Sequence, residues 1–505
     1  MHTVQLLLKP TAYECQEIER RFHALSHIHN VCVKHARKLL TRLEHDPEYQ
    51  AWRSEYCALS DKETEIPADK ARIKSLKAAM SDRRKEMGLS KAGLESYIKV
   101  CGRRYAKLVS SQQVQAEAGR VWKGVEKCLF GNGKILHFKK YMEFDTVGGK
   151  SNLNGARYDS RTKTVSWLGL ELKCYLPKRG ESRDYVLESL DHKVSYCEIK
   201  RRMFESGWRY YAVVVLDGDA PKRDIQLPDA SMGIDPGVSS VAGVSDNSCM
   251  LEELAPECDK YEKEICRLSR STDRSKRRSN PGKFNADGTF IRGDSSPWVF
   301  SSNYKRMQKK LKSLYRRKRE YTLCSHRALC NRILQEAGIF IVEHMDYKAL
   351  QKRKKATERQ DKETTVVQKD GTVKTVRKFK KKKRFGRSLG RKSPSLFLRE
   401  LQRKAELYGG VYAEADTKSF KASQYNHETD TYEKVPLSQR SKTVDGRTVQ
   451  RDLYSAFLLW NTDPKLEHPD RDKCIYTFDS FVKNQDKLIG QMKAAGISMK
   501  QCFGF

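Results

Sequence analysis

From residue 231 the sequence takes on a mixed α/β pattern, which begins with Met232-Gly233-Ile234-Asp235-Pro236-Gly237-Val238 and continues with Val241-Ala242-Gly243-Val244. Its apolar runs and its glycines predict a strand, a turn and a second strand. Asp235 interrupts the first of these apolar strands. A charged group at the end of a buried element is costly unless a cation or hydrogen bonds compensate it. Asp235 is therefore a candidate functional residue.

Two further carboxylates stand in similar sequence contexts. Glu343 directly follows the apolar run 339–342, and Asp452 opens an apolar helix predicted over 449–460. Carboxylates that converge at strand ends supply the oxygen ligands that Mg²⁺ or Mn²⁺ prefers. Two such ions, ~3.5–4 Å apart, activate water and stabilise the leaving oxygen when a phosphodiester is cleaved. The alternative for any single one of these acids is a helix cap or a salt-bridge partner.

The composition points to a polyanionic partner. The chain has 505 residues, with 99 Lys and Arg against 64 Asp and Glu, and a formal net charge of +35. A net charge of about 2–8 is recommended for a small soluble domain, so solubility alone does not account for this excess. Neutralisation of phosphates and release of their counterions drive the binding of basic proteins to nucleic acid. The 38% hydrophobic content excludes a wholly disordered chain.

Membrane proteins and secreted proteins are disfavoured. No apolar run approaches the roughly 18 residues that a transmembrane helix needs, and the first residues do not resemble a signal peptide. The 14 cysteines contain no C-x-x-C pair. We therefore expect free thiols in a reducing compartment, and neither a disulfide framework nor a zinc site.

The changing period of the apolar residues indicates three regions. A short strand at 3–8 precedes a helical region, 13–125, and a β-rich region, 126–230, in which strands are predicted at 134–138, 165–170 and 210–216. The β-rich region is typical of a small β-barrel or sandwich. The region 231–505 reads as mixed α/β, with a flexible insertion at 270–300 and a long basic helix at 303–335. A helix that starts at Ser393-Pro394, with Ser393 as its N-cap, and a strand at 411–415 follow.

Several polar residues are candidates for contacts with nucleic acid. Amides on the helix near 112 can read adenine edges in the major groove, and the exposed face of the basic helix and the segment 374–392 can meet phosphates. The candidates are Gln112, Gln115, Arg120, Lys309, Lys310, Arg316, Arg317, Lys380, Lys381, Lys382, Lys383 and Arg384. The alternatives are a solvated helix face for the amides and a nuclear-import signal or linker for 380–384. The helical histidines, His23, His27, His29 and His35, favour packing or phosphate contacts over metal binding.

Three motifs carry a resemblance to a known family. Gly233-Ile234-Asp235-Pro236-Gly237 resembles the first motif of a RuvC-type nuclease domain. Phe340-Ile341-Val342-Glu343-His344-Met345 is similar to its second motif, and Arg451-Asp452-Leu453-Tyr454-Ser455-Ala456 to its third. In this order they resemble transposon-encoded TnpB proteins and the compact type V CRISPR effectors. The resemblance covers residues 231–460 well and the first 230 residues only in outline.

This resemblance implies a multidomain α+β fold and an RNA-guided DNA endonuclease. Residues 231–505 would be an RNase H-like (RuvC) nuclease domain, with a nucleic-acid-loading insertion at 416–450. Residues 1–12 and 126–230 would form a wedge-like β-barrel domain, and 13–125 a helical recognition domain. Asp235, Glu343 and Asp452 would hold two Mg²⁺ or Mn²⁺ ions and carry the catalysis.

The implied partners are a guide RNA and target DNA, both double-stranded and single-stranded, with a short adjacent DNA motif read by the protein. No membrane partner is expected, and the implied location is the prokaryotic cytoplasm, associated with the nucleoid. Two rival functions are a nuclease-inactive RNA-guided repressor and an unguided RuvC-type nuclease or transposase. Retention of all three acids favours the enzyme over the repressor. The large regions before residue 231 favour guided over unguided cleavage.

The chain departs from the family pattern at the insertion, where the family usually carries a zinc ribbon. No cysteine lies between Cys330 and Cys474, and Ala422 and Tyr425 stand about where the first cysteine pair would be. His427 is the only strong zinc ligand in 416–450, so no structural zinc is expected. Its apolar residues Val435, Leu437 and Val444 suggest too small a core, which predicts a mobile segment that orders on nucleic acid. Tyr454 replaces the usual Asn of the third motif.

Overall fold

The computed structural model describes residues 1–60, 67–131, 133–222, 224–285, 288–291, 296–351, 358–367, 373–379, 386–434, 436 and 439–497. The chain divides into two compact units, Met1–Arg223 and Asp224–Phe505. The division falls close to residue 230, where the sequence changes from the β-rich to the mixed α/β pattern.

Long helices make up the first part of the first unit. They are α1 (Ala12–Glu44), α2 (Pro47–Ser60), α3 (Pro67–Glu86), α4 (Lys91–Arg104) and α5 (Ser111–Phe130), with α6 (Glu181–Leu190) further along the chain. Thr11 begins α1 through a capping box with Glu14, and Ser110 begins α5 through one with Gln113. These reciprocal hydrogen bonds satisfy the amides that the first helical turn leaves free.

The described strands of this unit form an open antiparallel sheet. They are β1 (His2–Leu8), β2 (Thr146–Gly148), β3 (Ala156–Asp159), β4 (Thr164–Trp167), β5 (Leu170–Tyr175), β6 (Val194–Phe204) and β7 (Gly207–Leu216). Their order is β2-β6-β7-β1-β5-β4-β3. Among the described strands no ladder joins β2 to β3, so the expected closed barrel is wrong. Residues 134–138 form no strand either.

A shared hydrophobic core joins the helices and the sheet of this unit. Within this unit the buried Arg201 of β6 pairs with Glu19 of α1 and donates a hydrogen bond of 2.7 Å to the carbonyl of Tyr141. The hydroxyl of Tyr210 on β7 donates to Glu19 over 2.9 Å. A buried charge is tolerated when it is paired and hydrogen-bonded in this way. The helical and β-rich regions are therefore packed as one body.

The helical histidines of α1 are used in packing, one of the two roles favoured by the sequence. His23 stacks on Tyr141 with ring centroids 3.6 Å apart, and His35 stacks on Tyr97 at 3.5 Å. The Nδ1 atom of His29 lies 3.0 Å from the buried carboxylate of Glu117.

The second unit contains a mixed sheet and several hairpins. Its described strands are β8 (Ser231–Pro236), β9 (Ser240–Ser245), β10 (Cys249–Glu253), β11 (Ile339–Glu343), β12 (Arg359–Val367), β13 (Val373–Phe379), β14 (Val411–Ala415), β15 (Tyr425–Asn426), β16 (Thr431–Tyr432), β17 (Ser441–Val444) and β18 (Arg447–Gln450). The main sheet has the order β10-β9-β8-β11-β14. β8, β9 and β10 pair antiparallel, whereas β11 runs parallel to both β8 and β14. β8 and β11 therefore end at the same edge of the sheet.

Helices cover both faces of this sheet. They are α7 (Cys258–Arg278), α8 (Ser302–Glu336), α9 (Tyr347–Gln351), α10 (Gly386–Lys392), α11 (Pro394–Leu407), α12 (Arg451–Trp460) and α13 (Arg471–Ala494). One apolar cluster joins the sheet to α8 and α11, and another joins it to α12 and α13. Both faces of β8 and β11 are therefore covered, as is usual for parallel strands.

The predicted basic helix, the strand at 411–415 and the apolar helix near 450 are confirmed as α8, β14 and α12. Three expectations are wrong. α7 continues to Arg278, so the insertion expected from 270 begins later. The density of like charges in 351–392 predicts a disordered segment, but β12 and β13 pair there as a hairpin. Ser393 precedes α11 with φ 53° and no side-chain capping bond. Among the described residues, no helix has both the length and the apolar character needed to span a membrane.

Candidate active site

The alternation of side chains along two neighbouring parallel strands brings Asp235 and Glu343 to one face of the sheet. Met232, Ile234, Phe340 and Val342 belong to the cluster formed with α8 and α11. Side chains one residue further along a strand point to the opposite face. Ile234 pairs with Val342 across β8 and β11, so Asp235 and Glu343 follow as neighbours at the carboxyl ends of the strands. They face α12.

A glycine in β8 allows α12 to approach this face closely. A Cβ atom at Gly233 would overlap the carbonyl oxygen of Ala456 and the amide nitrogen of Trp460. Only glycine permits such contact between two backbones. The close approach brings the first turn of α12 beside the ends of β8 and β11, and Asp452 is the second residue of that turn. Asp452 is 8% exposed.

The three acids line one cavity of about 470 Å³. Besides the acids, its lining includes backbone and small side chains of the turn 236–240 and the side chains of Tyr347, Arg440 and Arg451. Polar sites in open α/β sheets lie characteristically beyond the carboxyl ends of the strands. The structure thus brings together all three acids that the sequence singled out, from three separate elements.

Crowding of negative charge is the main electrostatic feature of this cavity. Burial raises the pKa of Asp235 well above its ordinary value, and the charges of Asp452 and Glu343 raise it further. Burial, with the charge of Asp416, raises the pKa of Glu343 to about 7. Burial and the neighbouring negative charges both disfavour the ionised form of these carboxyl groups when no cation is bound. A cation in the cavity would lower the free-energy cost of ionising these acids.

Arginines partly compensate the acids. The Nη1 atom of Arg440 lies 3.4 Å from Oδ2 of Asp452. The positive charges of Arg451 and Arg440 oppose the rise in the pKa of Asp235. Arg451 is itself held by a 3.3 Å hydrogen bond from its Nη1 to the carbonyl of Pro436. The acids are therefore held in a partly neutralised, water-accessible cavity.

The donor set is suited to a divalent cation, because carboxylate oxygens are the ligands of Mg²⁺ and Mn²⁺. Within the part of the chain that the structure describes, no three His, Cys, Asp or Glu side chains stand close enough to ligate one ion together. The three acids thus share a cavity without forming a closed ligand set. Side-chain rotation, including release of Asp452 from Arg440, would be needed to bring their oxygens onto common ions.

Tyr347 is a member of the cavity that sequence reasoning missed. It lies in α9, four residues after Glu343, and its hydroxyl is buried without a hydrogen-bond partner among the described residues. Burial raises the pKa of Tyr347, and the charge of Asp235 raises it further. A buried hydroxyl normally has a partner, so this one is available to a ligand. An aromatic residue just after the second motif is the signal that could have identified it.

The segment 416–450 has a core, contrary to the expectation from its sequence. Ala422 and Tyr425, which stand about where cysteines would be in a ribbon, are buried against α12 and α13. Val444 belongs to the same apolar cluster, while Val435 and Leu437 lie outside the described residues. In this segment apolar side chains pack at the positions where the family usually has zinc-binding cysteines.

His427, the strong zinc ligand of the segment, is enclosed by aromatic rings. Its backbone N–H donates to the hydroxyl of Tyr454 over 3.1 Å, and its Nδ1 lies 2.7 Å from the same oxygen. Its ring packs against Phe478 with centroids 4.7 Å apart. Burial lowers the pKa of His427. Tyr454, the residue that departs from the third motif, therefore ties the segment to α12.

The predicted contacts on α5 have partners within the first unit. Gln112 accepts a hydrogen bond from the hydroxyl of Ser151 over 3.1 Å, and Gln115 accepts one from Lys150 over 3.1 Å. Arg120 bridges two carboxylates, those of Glu117 at 2.5 Å and Glu198 at 3.2 Å. These contacts give all three residues a structural role, and their binding of nucleic acid stays a prediction.

The predicted contacts on α8 are only partly exposed. Lys309 and Arg317 are exposed, whereas Lys310 lies 3.5 Å from Glu264 and Arg316 lies 2.6 Å from Glu320. The remaining candidates, Lys380, Lys381, Lys382, Lys383 and Arg384, lie outside the described residues.

A basic stripe on α7 was missed in the sequence. Lys263, Arg267, Arg270 and Arg274 recur at intervals of four, three and four residues, so they share one face of the helix. All four are exposed and line a groove of about 410 Å³ beside Arg391. Among the described residues, none of the four forms an ion pair. The helical spacing of these cations is the signal that could have revealed the α7 stripe.

Comparisons with known proteins give distant likenesses. No protein-family model and no curated protein matches the sequence. The chain is similar to the cryo-EM structure of a Cas12f1–sgRNA–target DNA complex, with 11% identity, a TM-score of 0.42, and 90% of this chain and 87% of that chain covered. It is also similar to a CRISPR-Cas12f ternary complex, with 12% identity, a TM-score of 0.26, and coverage of 90% and 82%. Both likenesses are weak in sequence and in fold.

Proposed function

We propose that this protein is an RNA-guided DNA endonuclease, similar to TnpB proteins and compact type V CRISPR effectors. The observation that carries the proposal is the convergence of Asp235, Glu343 and Asp452 on one cavity from β8, β11 and α12. Their like charges are crowded enough to raise the pKa of Asp235. Helix capping and ion pairing do not require three acids whose charges repel one another, so a purely structural role does not explain this arrangement.

The fold of the second unit supports the proposal. A sheet in which β8, β9 and β10 are antiparallel, and β11 and β14 extend it in parallel, is the arrangement expected of an RNase H-like nuclease domain. The three motif segments occupy β8 with its following turn, β11 and the start of α12. Each of the three motifs contributes residues to the lining of the cavity, which include Asp235, Pro236, Gly237, Glu343, Met345, Arg451 and Asp452.

In this proposal Asp235, Glu343 and Asp452 would hold two Mg²⁺ or Mn²⁺ ions. Ions of this kind activate water and stabilise the leaving oxygen in phosphodiester cleavage. The acids would hold the ions at the sheet edge, and the hydroxyl of Tyr347 would donate a hydrogen bond to a phosphate oxygen of the bound strand. Arg440 and Arg451 offset the charge of the acids while the cavity is empty of phosphate. No structural zinc is proposed.

Guide RNA and target DNA are proposed as partners on the strength of the family resemblance and the net charge of +35. Phosphates supply most of the affinity of basic proteins for nucleic acid, independently of sequence. Exposed cations of the α7 stripe and of α8 provide surface for such contacts. Base pairing with the guide would then supply the sequence specificity.

The test is cleavage of a guide-matched DNA by the full-length protein in Mg²⁺. Asp235→Ala is expected to abolish cleavage but to leave the binding of RNA and DNA unchanged, because the acids attract cations and repel phosphates. Asp246→Ala, which removes an exposed acid from the turn after β9, is the matched control and should cut normally. Chelation of the metal with EDTA should stop cleavage by the unsubstituted protein.

Three results would contradict the proposal. Cleavage by the Asp235→Ala variant, or in EDTA, would remove the acids from the chemistry. Guide-dependent binding without any cleavage would favour a repressor. Equal cleavage with and without guide RNA would favour an unguided nuclease.

A further inference from the structure

Four aromatic rings form a row between the end of α7 and the start of α8. Phe290 and Trp298 have ring centroids 5.6 Å apart with planes inclined by 20°, and Trp298 and Phe300 are 6.4 Å apart with planes inclined by 11°. Phe300 and Tyr304 are 4.6 Å apart with planes inclined by 16°. We call this row the aromatic ladder. Near-parallel rings at these separations are offset, so part of each face is left uncovered.

Two rings of the aromatic ladder are exposed, although large aromatic side chains are usually buried. Phe290 is 46% exposed and Phe300 is 36% exposed. Large exposed apolar groups that lie together mark binding surfaces more often than isolated ones do. The four rings belong to none of the buried apolar clusters formed by the described residues. Packing of the core therefore does not explain them.

Hydrogen bonds from buried polar side chains hold the backbone beneath the ladder. The side chain of Asn280 donates to the carbonyl of Val299 over 2.7 Å and accepts from the amide of the same residue over 2.8 Å. The buried ammonium of Lys283 donates to the carbonyl of Ser296 over 2.7 Å. Both anchors flank Trp298 in the chain. These hydrogen bonds therefore fix the backbone on both sides of Trp298.

Cations accompany the rings. The Nζ atom of Lys276 lies 3.9 Å from the centroid of Trp298, and that of Lys283 lies 4.9 Å from it. The guanidinium of Arg277 lies 4.7 Å from the centroid of Phe284, which packs edge-on against Phe290. Lys283 is buried and Arg277 is paired with Asp273 at 2.8 Å, whereas no acid pairs with Lys276 among the described residues. Exposed rings beside such a cation match the chemistry of an unpaired nucleic-acid strand, whose bases stack and whose phosphates are negative.

We propose that the aromatic ladder binds single-stranded DNA by stacking its bases on Phe290, Trp298, Phe300 and Tyr304. The choice of DNA rests on the proposed function, because the ladder belongs to the same compact unit as the three acids. A strand must be unpaired for its bases to reach the rings. The ladder therefore binds the strand to be cut, or its displaced partner, in single-stranded form.

The test is equilibrium binding of the full-length protein in EDTA, so that cleavage plays no part. Labelled oligo(dT) is compared with an abasic strand of equal length and charge, at a salt concentration low enough for the abasic strand to bind measurably through its phosphates. The double variant Phe290→Leu/Phe300→Leu is expected to bind oligo(dT) at least about 5-fold more weakly, since loss of a single stacked base weakens binding about 5- to 150-fold. Its binding of the abasic strand should not change.

Two controls separate stacking from folding and from general hydrophobicity. Phe290→Tyr/Phe300→Tyr keeps both rings and should bind as the unsubstituted protein does. Tyr476→Leu removes a ring that is exposed on α13, away from the ladder in the chain, and should have no effect.

Three outcomes would overturn the inference. An equal loss for oligo(dT) and the abasic strand would mean that the variant acts through charge or folding. A loss with oligo(U) but not with oligo(dT) would identify RNA as the occupant. A fall in the mass of the protein in solution, with binding unchanged, would identify a surface between copies of the chain. Ring-dependent binding by a protein that fails to cleave guided DNA would instead refute the proposed function and leave the stacking surface intact.

Discussion

At the scale of single residues, the environment decides the chemistry of each charged group. Asp235 and Glu343 have raised pKa values because they are buried beside other acids. Lys442, on β17, shows the same effect with the opposite charge. Its Nζ donates to the carbonyl of Ser423 over 2.9 Å, while burial and the charge of Arg451 lower its pKa to about 8. A group of this kind makes stability depend on pH.

The direction of the pH dependence of stability follows from the pKa values of Lys442 in the folded and in the unfolded protein. In the unfolded chain the ordinary pKa is near 10.5, so between about pH 8 and 10.5 the unfolded state binds more protons than the folded state. Stability therefore rises with pH across this interval, and the cost of the half-buried charge is fully present below pH 8.

We expect Lys442→Met to raise the apparent Tm at pH 7, since it removes a half-buried charge and keeps the length of the side chain. The gain should shrink as the pH approaches 10, because Lys442 is then neutral in the folded protein. Thermal unfolding at pH 7, 8, 9 and 10 measures both effects. Lys465→Met, at an exposed position, is the control. A difference between Lys442→Met and the unsubstituted protein that does not change with pH would contradict the prediction.

At the scale of elements, the contact between β8 and α12 assembles the candidate site. Gly233 lets the backbone of α12 lie against the strand, and the same contact brings Asp452 beside Asp235. Stability and site geometry therefore depend on one glycine. The helix itself is secured from the other side by α13, in the apolar cluster that also includes Ala422 and Tyr425.

Gly233→Ala is expected to destabilise the second unit by ~1–3 kcal/mol or more, because a backbone must move to admit the methyl group. Cleavage should fall more steeply than stability, since the shift separates Asp452 from Asp235. Denaturant unfolding and guided cleavage measured on the same preparation test this. Gly490→Ala, in α13 with no atom within 4 Å of the added Cβ, should be neutral or stabilise by ~0.5–1 kcal/mol. Normal stability and cleavage by Gly233→Ala would show that α12 can move without consequence.

At the scale of the whole molecule, the positive net charge favours a polyanionic partner. The net charge of +35 is a property of the entire chain, but the fold decides which cations face solvent. On α8, Lys310 and Arg316 are paired with acids, whereas on α7 the cations of the stripe are exposed. The α7 stripe should therefore bind phosphates, and an equal number of cations elsewhere should not substitute for it.

Arg267→Gln/Arg270→Gln is expected to weaken nucleic-acid binding to a similar degree for all sequences. The slope of log K against log salt should become shallower by about 0.9 for each duplex phosphate that the variant no longer neutralises, or by about 0.7 for each phosphate of a single strand. Lys483→Gln/Lys487→Gln removes the same charge from exposed positions on α13 and should leave the slope nearly unchanged. Equal slopes for the two double variants would mean that only net charge matters.

The sequence alone determined the features that depend on neighbours along the chain. The apolar runs around Asp235 and Glu343 predicted strands that end in acids, and the apolar face near 450 predicted the helix that begins beside Asp452. Such patterns are local because the periods of strands and helices are local. The basic composition likewise required no structure.

The effects that residues far apart in the chain have on one another are visible only in the folded protein. The tertiary structure placed the three acids on one cavity, left the Tyr347 hydroxyl without a partner among the described residues, and half-buried Lys442. It also replaced the expected closed barrel with an open sheet and gave the segment 416–450 a core. Desolvation, charge crowding and strand pairing act through space between residues far apart in the chain, so no local pattern records them.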